Sequence, residues 1–169
     1  MLSNSSTDSD AKLPITVLLV STRTEDYIAL QAIFRGSRWE LRAARTARDG
    51  IETIRHHAEI AVVICEHTLP DGDWRSLLAQ MDKMALPPSL IVSSRLADER
   101  LWADVLGFGA FDLLQGAPFE PEEVLRVTES AWSDRTRTAR HTTLPRIGPG
   151  PARSVAGGGA PLLAACSQI

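Results

Sequence analysis

The sequence predicts an α/β domain in which a parallel sheet is covered by helices on both faces. Short apolar runs of strand length alternate with amphipathic helical segments through five repeats. Three of these runs are almost continuously apolar, which is typical of strands buried on both faces. Such alternation predicts right-handed crossover connections and therefore a parallel sheet.

The first two repeats lie in the first third of the chain. The run at 15–20 is β-branched and apolar except for Thr16, and a helix is predicted from Asp26 to Phe34. Apolar residues at helical spacing in that helix are Ile28, Leu30, Ala32 and Ile33. Residues 39–43 alternate apolar and polar side chains, which indicates a half-exposed strand, and a helix is predicted at 48–56.

The third repeat begins with a buried strand at 61–65. The turn residues at 70–73 follow it and lead into a helix predicted at 74–84. A further buried strand is predicted at 89–93. Asp98 is the predicted N-cap of the next helix, which ends before the glycines near Leu106.

The last repeat joins a short strand at 110–114 to a helix that begins at Pro121. The composition changes after residue 133. Residues 1–133 contain 13 basic and 20 acidic residues, whereas 134–169 contain five arginines, one aspartate and many prolines and glycines. We therefore predict a domain at 13–133, a disordered leader at 1–12 and a flexible tail at 134–169.

The opening residues have neither a basic start nor an apolar stretch, so a cytoplasmic protein is expected. No apolar run reaches the roughly 18 residues that a membrane-spanning helix needs. No catalytic triad or hydrolase-type cluster lies at the predicted strand ends, so no enzymatic activity is expected.

Five landmarks in this order and spacing resemble the receiver domain of bacterial two-component response regulators. They are the strand 17–20, the segment 63–72, the strand end 92–94, the Gly109-Ala110-Phe111-Asp112 turn and the Pro118-Phe119 pair. The resemblance covers roughly residues 13–133. It implies a flavodoxin-like (βα)5 three-layer sandwich with the parallel sheet order 2-1-3-4-5. It also implies a signalling module of a phosphorelay.

In that family, two acids after the first strand and an aspartate after the third bind Mg²⁺ through oxygen atoms. The same aspartate accepts a phosphoryl group from a histidine kinase, and a lysine and a Ser/Thr bind the phosphate. The new charge then shifts the population of conformations at the last helices and strand.

This sequence departs from the family at the acidic positions. The acidic pair maps to Ser21 and Thr22, and the phosphoacceptor position maps to Glu66, which carries one methylene more than aspartate. A site with so few carboxylates should bind Mg²⁺ weakly, so no cofactor is expected.

The phosphate-binding positions are also incomplete. Ser94 keeps the Ser/Thr position, but the lysine maps to Ala117 or Gly116 because this loop is one residue longer. Only two of the 18 cationic residues are lysines, and neither follows a predicted strand. The sequence therefore favours a pseudo-receiver that acts through protein contacts without efficient phosphorylation. The alternative is a working phosphoacceptor that uses Glu66 or a nearby acid.

Two arginines follow predicted strands close to the phosphoacceptor position. We hypothesise that Arg23 or Arg95 forms a constitutive ion pair with Glu66. The other interpretation of Glu66 is a solvated side chain at a strand end.

Apolar side chains on the last two helices and last strand form a predicted interaction face. These residues are Trp102, Val105, Phe111, Leu113 and Trp132. The expected partner is a protein such as a histidine kinase or an effector, or a second copy of the chain.

Other kinds of site have little support. Neither the pair Cys65 and His67 nor the pair Asp71 and Asp73 has the spacing of a metal site, so no metal ligands are assigned. A flavin site is disfavoured because residues 21–24 lack glycine. The tail arginines have no interleaved aromatic residues, which favours a solvated linker over a nucleic-acid site.

Overall fold

The computed structural model describes residues 14–116 and 118–143. Its strands are β1 (Ile15–Val20), β2 (Trp39–Ala44), β3 (Ile60–Glu66), β4 (Thr68–Leu69), β5 (Gly72–Asp73), β6 (Ser89–Ser94) and β7 (Asp112–Gln115). Its helices are α1 (Thr24–Phe34), α2 (Ala47–His56), α3 (Trp74–Met81), α4 (Glu99–Gly107) and α5 (Pro121–Thr143).

Five strands form one parallel sheet in the order β2-β1-β3-β6-β7. Since β4 and β5 form a separate two-residue antiparallel pair, this order corresponds to 2-1-3-4-5 among the predicted strands. The predicted fold class and sheet order are confirmed.

The sheet separates two apolar clusters, because successive side chains of a strand point to opposite faces. Leu18 of β1 belongs to the cluster beneath α2, α3 and α4. Its neighbours Val17 and Leu19 belong to the cluster beneath α1 and α5, which includes Leu30 and Val124. The three layers place the loops after β1, β3 and β6 at one edge of the sheet.

Side-chain caps begin three of the helices. Thr46 accepts a hydrogen bond from the Asp49 backbone at the start of α2. Asp73 forms a capping box with Ser76 at the start of α3, and Asp98 accepts from the Leu101 backbone at the start of α4. The predicted cap at Asp98 is confirmed.

Asp71 holds the turn between β4 and β5 against α2. Its two carboxylate oxygens accept hydrogen bonds from the backbone N–H groups of Ala47 at 2.9 Å and Arg48 at 3.0 Å. The hydrogen bond from Arg48 lowers the pKa of the Asp71 carboxyl most, with the Ala47 bond adding to it. Asp73 therefore caps α3, in agreement with the turn and helix start predicted at 70–74, and Asp71 caps α2, which the sequence did not predict.

The inward stripe of α1 differs from the predicted one. Asp26, Leu30 and Phe34 are its buried residues, spaced four apart, whereas Ile28 is 60% exposed. A four-residue spacing keeps these side chains on one helix face. Of the predicted apolar residues, Leu30 is buried and Ile33 packs partly buried against the core, whereas Ile28 and Ala32 are exposed because the buried stripe begins with a carboxylate.

The predicted boundary at residue 133 falls inside α5, which continues to Thr143. Arg135 is partly buried and its Nε donates to the Pro87 carbonyl at 3.3 Å, so this part of the helix rests on the domain. Burial lowers the pKa of Arg135. A charged anchor of this kind has no apolar periodicity, which is why the composition predicted a flexible tail from residue 134. The predicted leader and residues 144–169 of the predicted tail lie outside the described residues.

Candidate functional site

The candidate site forms where the carboxyl ends of β1, β3 and β6 meet. Ser21 follows β1, Glu66 ends β3 and Arg95 follows β6. Because β3 lies between the other two strands, Glu66 is central and the other two residues flank it. This is the edge of a parallel sheet at which polar groups converge.

The Glu66 carboxylate contacts two arginines and two hydroxyls. Its Oε1 atom lies 3.0 Å from Arg23 Nε and 3.8 Å from Arg95 Nη1. Its Oε2 atom accepts hydrogen bonds from Ser21 at 3.0 Å and Thr22 at 3.4 Å. The hydrogen bond to Glu66 raises the pKa of Arg23 most. Glu66 is therefore a held carboxylate rather than a solvated one.

Asp26 is a site residue that the sequence analysis missed. This carboxylate is buried on the first turn of α1. Its Oδ1 atom accepts from Arg95 Nη2 at 2.8 Å, and its Oδ2 atom lies 3.0 Å from Ser21 Oγ. Asp26 precedes Leu30 and Phe34 at four-residue intervals, but this spacing alone does not mark a carboxylate as inward, because its partner Arg95 is distant in sequence.

Ser21 joins the two carboxylates. Its hydroxyl lies 3.0 Å from both Asp26 Oδ2 and Glu66 Oε2, and it accepts a hydrogen bond from the Arg23 backbone at 3.1 Å. A hydroxyl carries one proton, so it donates to one carboxylate at a time. The two carboxylates around Ser21 are each paired with an arginine, Glu66 with Arg23 and Asp26 with Arg95, so the formal charges of the cluster cancel.

Ser94 lines a cavity of about 280 Å³ beside Glu66. Its hydroxyl accepts a hydrogen bond from the Leu96 backbone at 3.2 Å. Arg23 and Arg95 line the same cavity. Ala117, the predicted second phosphate-binding position, lies outside the described residues.

Two residues of the predicted interaction face, Val105 and Leu113, are buried in the structure. Val105 is fully buried and Leu113 is buried in the same cluster beneath α4, so neither lines a surface. Val105 is the buried residue of α4, and it points at the sheet because helices pack through their apolar stripe.

The remaining members lie on different sides of the sheet. Phe111 and Trp132 pack against the cluster beneath α1 and α5, and the Arg38 guanidinium lies 4.2 Å from the Trp132 ring centroid. Trp102 lies on α4 and is 50% exposed. Leu106, one turn further along α4, is 37% exposed, so the apolar surface of this region is on α4.

The other candidate groups at this edge have contacts within the chain. Cys65 is buried, and its thiol donates to the Glu66 carbonyl, while burial raises its pKa. His67 Nδ1 lies 3.1 Å from Thr68 Oγ1. Across residues 14–116 and 118–143, no three His, Cys, Asp or Glu side chains are grouped to hold a metal ion. Among the same residues, no helix combines the length and apolar character required to cross a membrane.

Comparison with known proteins gives matches in structure. The sequence matches no protein-family model and no curated protein. A signal receiver domain from Vibrio parahaemolyticus is 20% identical, with a TM-score of 0.68 over 76% of this chain and 98% of that chain. A chain of the CheX–CheY–BeF3–Mg complex from Borrelia burgdorferi is 23% identical, with a TM-score of 0.65 over 74% and 94%.

The receiver domain of NtrC4, solved as a beryllofluoride-activated dimer, is 21% identical, with a TM-score of 0.64 over 71% of this chain and 98% of that chain. Each neighbour is covered almost completely, and the sheet order of this chain is the order expected for such domains. The chain therefore has the flavodoxin-like fold of response regulator receiver domains.

Proposed function

We propose that this chain is a receiver-like signalling module of a bacterial two-component pathway that acts through protein contacts without efficient phosphorylation. The fold and the position of Glu66 at the end of β3 support the receiver role. Both oxygens of the Glu66 carboxylate already contact arginines or hydroxyls, which supports the absence of phosphotransfer.

The contacts of Glu66 carry this proposal. A nucleophilic carboxylate needs a free oxygen aligned with the phosphoryl group. Here Oε1 faces Arg23 and Arg95, and Oε2 faces Ser21 and Thr22. Attack would require breaking an ion pair and moving a side chain that is longer than aspartate. The site is thus suited to a permanent charge pair.

The residues at this edge do not fit the Mg²⁺ ion that phosphotransfer in this family uses. Mg²⁺ binds one or two carboxylates in octahedral geometry and retains several waters. The first-strand positions supply hydroxyls from Ser21 and Thr22, and the carboxylates of Asp26 and Glu66 each bind a guanidinium group. A divalent cation would have to displace an arginine from each carboxylate.

The exposed side of α4 is the proposed contact surface. Trp102 and Leu106 form an apolar pair one helical turn apart. An exposed tryptophan is a frequent energetic anchor of protein interfaces. Two of the structural neighbours were solved as a complex with CheX and as a dimer. We propose a protein partner for this chain, such as a histidine kinase or an effector.

Incubation of the full chain with acetyl phosphate and Mg²⁺, followed by intact mass spectrometry, tests the proposal. We expect no added mass, because Glu66 is occupied and the cation site is incomplete. A receiver domain that accepts phosphate from acetyl phosphate serves as the positive control. A stable gain of about 80 Da, the mass of one phosphoryl group, would instead establish a working phosphoacceptor.

A further inference from the structure

Asp26 is a buried carboxylate to which the proposed function gives no role. It lies on the first turn of α1 and is 4% exposed. Burying a charge is costly unless it is paired and hydrogen-bonded. Both of its oxygens are engaged, by Arg95 Nη2 at 2.8 Å and by Ser21 Oγ at 3.0 Å.

The site contains two ion pairs of different character. The inner pair, Asp26 with Arg95, has side chains that are 5% and 33% exposed. The outer pair, Glu66 with Arg23, has side chains that are 16% and 49% exposed. An ion pair strengthens as water is excluded, so the inner pair is the stronger. Arg95 Nη1 lies 3.8 Å from Glu66 Oε1, too far for a hydrogen bond, so Asp26 is its main partner.

The inner pair joins two separate elements. Arg95 is the first residue of the β6–α4 loop, residues 95–98, and Asp26 belongs to α1. Of the other residues in this loop, Leu96 has a side chain that is 86% exposed, whereas Ala97 is partly buried and packs against the cluster beneath α2, α3 and α4. The loop sets the start of α4, where Asp98 caps the helix.

Helix α4 packs on the sheet through two apolar side chains, the buried Val105 and the partly buried Leu101. Val105 is its single fully buried side chain among the nine residues of the helix. Arg75 contacts Asp104 at 3.6 Å near the end of the helix. The remaining residues of α4 are exposed, so the orientation of its first turn, and of Trp102 there, also depends on how Arg95 holds the preceding loop.

We propose that Asp26, acting through Arg95, is the positioning residue for the β6–α4 loop and the Trp102 surface, and that Glu66 is not. The proposal rests on the proposed function, because it names what controls the contact surface assigned there. Neutralising Glu66 leaves the inner pair intact and α4 in place. Neutralising Asp26 releases Arg95 and frees the loop.

Amide hydrogen exchange of the full chain, followed by mass spectrometry of peptides, tests this assignment. In Asp26→Asn, which keeps the side-chain shape and removes the charge, peptides spanning 95–103 should exchange about tenfold faster than in the unaltered chain. In the matched variant Glu66→Gln, the same peptides should change less than about twofold. Peptides of α2 should be unaffected in both variants, which separates local opening from global loosening.

A second pair of variants approaches the same contacts from the arginine side. Arg95→Gln should accelerate exchange at 95–103 as Asp26→Asn does, whereas Arg23→Gln should not. The double variant Asp26→Asn/Arg95→Gln should be no faster than either single variant, because both remove one interaction. If Asp26→Asn does not fold, the two arginine variants alone decide the question.

Loop exchange that stays within about twofold of the unaltered chain in Asp26→Asn, or in Arg95→Gln if the aspartate variant does not fold, would overturn the assignment. Equal acceleration in Glu66→Gln and Asp26→Asn, or in Arg23→Gln and Arg95→Gln, would overturn it as well. A phosphorylated product in the acetyl phosphate experiment would overturn the proposed function and leave this assignment standing.

Discussion

Glu66 and Asp26 are both carboxylates bound by arginine and by Ser21, yet they occupy different surroundings. Asp26 faces the interior beneath α1, whereas the main partner of Glu66 is an arginine whose side chain is about half exposed to water. Water screens an exposed charge, so the energetic value of the Glu66 pair lies between that of a surface pair and that of a buried one. A single-residue change at Glu66 measures this value.

Glu66→Gln should lower the free energy of unfolding by about 1–3 kcal/mol. The amide leaves Arg23 without its countercharge and Ser21 with a weaker acceptor. Urea unfolding monitored by tryptophan fluorescence measures the change. Glu59→Gln is the matched control, because Glu59 pairs with His57 and Arg42 at the exposed surface, and it should leave the unfolding midpoint unchanged. An unchanged midpoint in Glu66→Gln would show that the ion pair adds nothing to stability.

At the scale of elements, the caps and the packing of single helices fix the positions of the segments around the site. The turn that carries Asp71 is tied to the start of α2, because two backbone N–H groups of that helix donate hydrogen bonds to the Asp71 carboxylate. Helix α4 is tied to the sheet by Val105 and exposes Trp102 on its other side. These two helices allow an element-scale prediction each.

The Asp71 cap should make stability dependent on pH in the acidic range. Its pKa is lowered in the folded chain, so the cap contributes fully above the unfolded pKa of about 3.9 and is lost as the pH falls through the lower folded value. Asp71→Asn should cost about 0.5–2 kcal/mol at pH 7 and should flatten the decline in melting temperature between neutral and acidic pH. Thermal melts of the unaltered chain and of Asp71→Asn over that pH range test this explanation. Identical changes of melting temperature with pH in the two proteins would contradict it.

Truncation of Val105 and truncation of Trp102 should affect different properties, stability in the first case and binding in the second. Val105→Ala removes buried volume beneath α4 and should cost about 1–3 kcal/mol of unfolding free energy. Trp102→Ala removes a half-exposed side chain and should cost less than about 1 kcal/mol, while weakening partner binding or self-association. Chemical unfolding and sedimentation velocity measure the two effects. A larger stability loss in the tryptophan variant would mean that Trp102 belongs to the core.

At the scale of the whole molecule, the sheet order brings together groups that are far apart in sequence. Ser21, Glu66 and Arg95 lie at or just after the ends of three different strands, and the arrangement β2-β1-β3-β6-β7 makes those strands adjacent. The same arrangement puts α4 and α5 on opposite faces, which divides the predicted interaction face. The molecule therefore has a cluster of ion-paired side chains at one edge of the sheet and an apolar surface on α4.

The sequence by itself determined the order of elements, the parallel sheet and the strand ends at which polar groups gather. Strand and helix periodicities are local, and parallel strands always bring their carboxyl ends to one edge. It also located Glu66, Arg23 and Arg95 near each other, because each lies at or just after such an end.

The tertiary structure alone decided which side chains face inward and which pairs form. It assigned Arg95 primarily to Asp26, buried Val105 and Leu113, and extended α5 past residue 133 through the contact of Arg135 with Pro87. Each of these depends on the rotation of a helix about its axis or on a partner distant in sequence. Local periodicity cannot show that a charged residue such as Asp26 faces inward. Its burial is favourable only because of Arg95, which lies 69 positions away in the sequence.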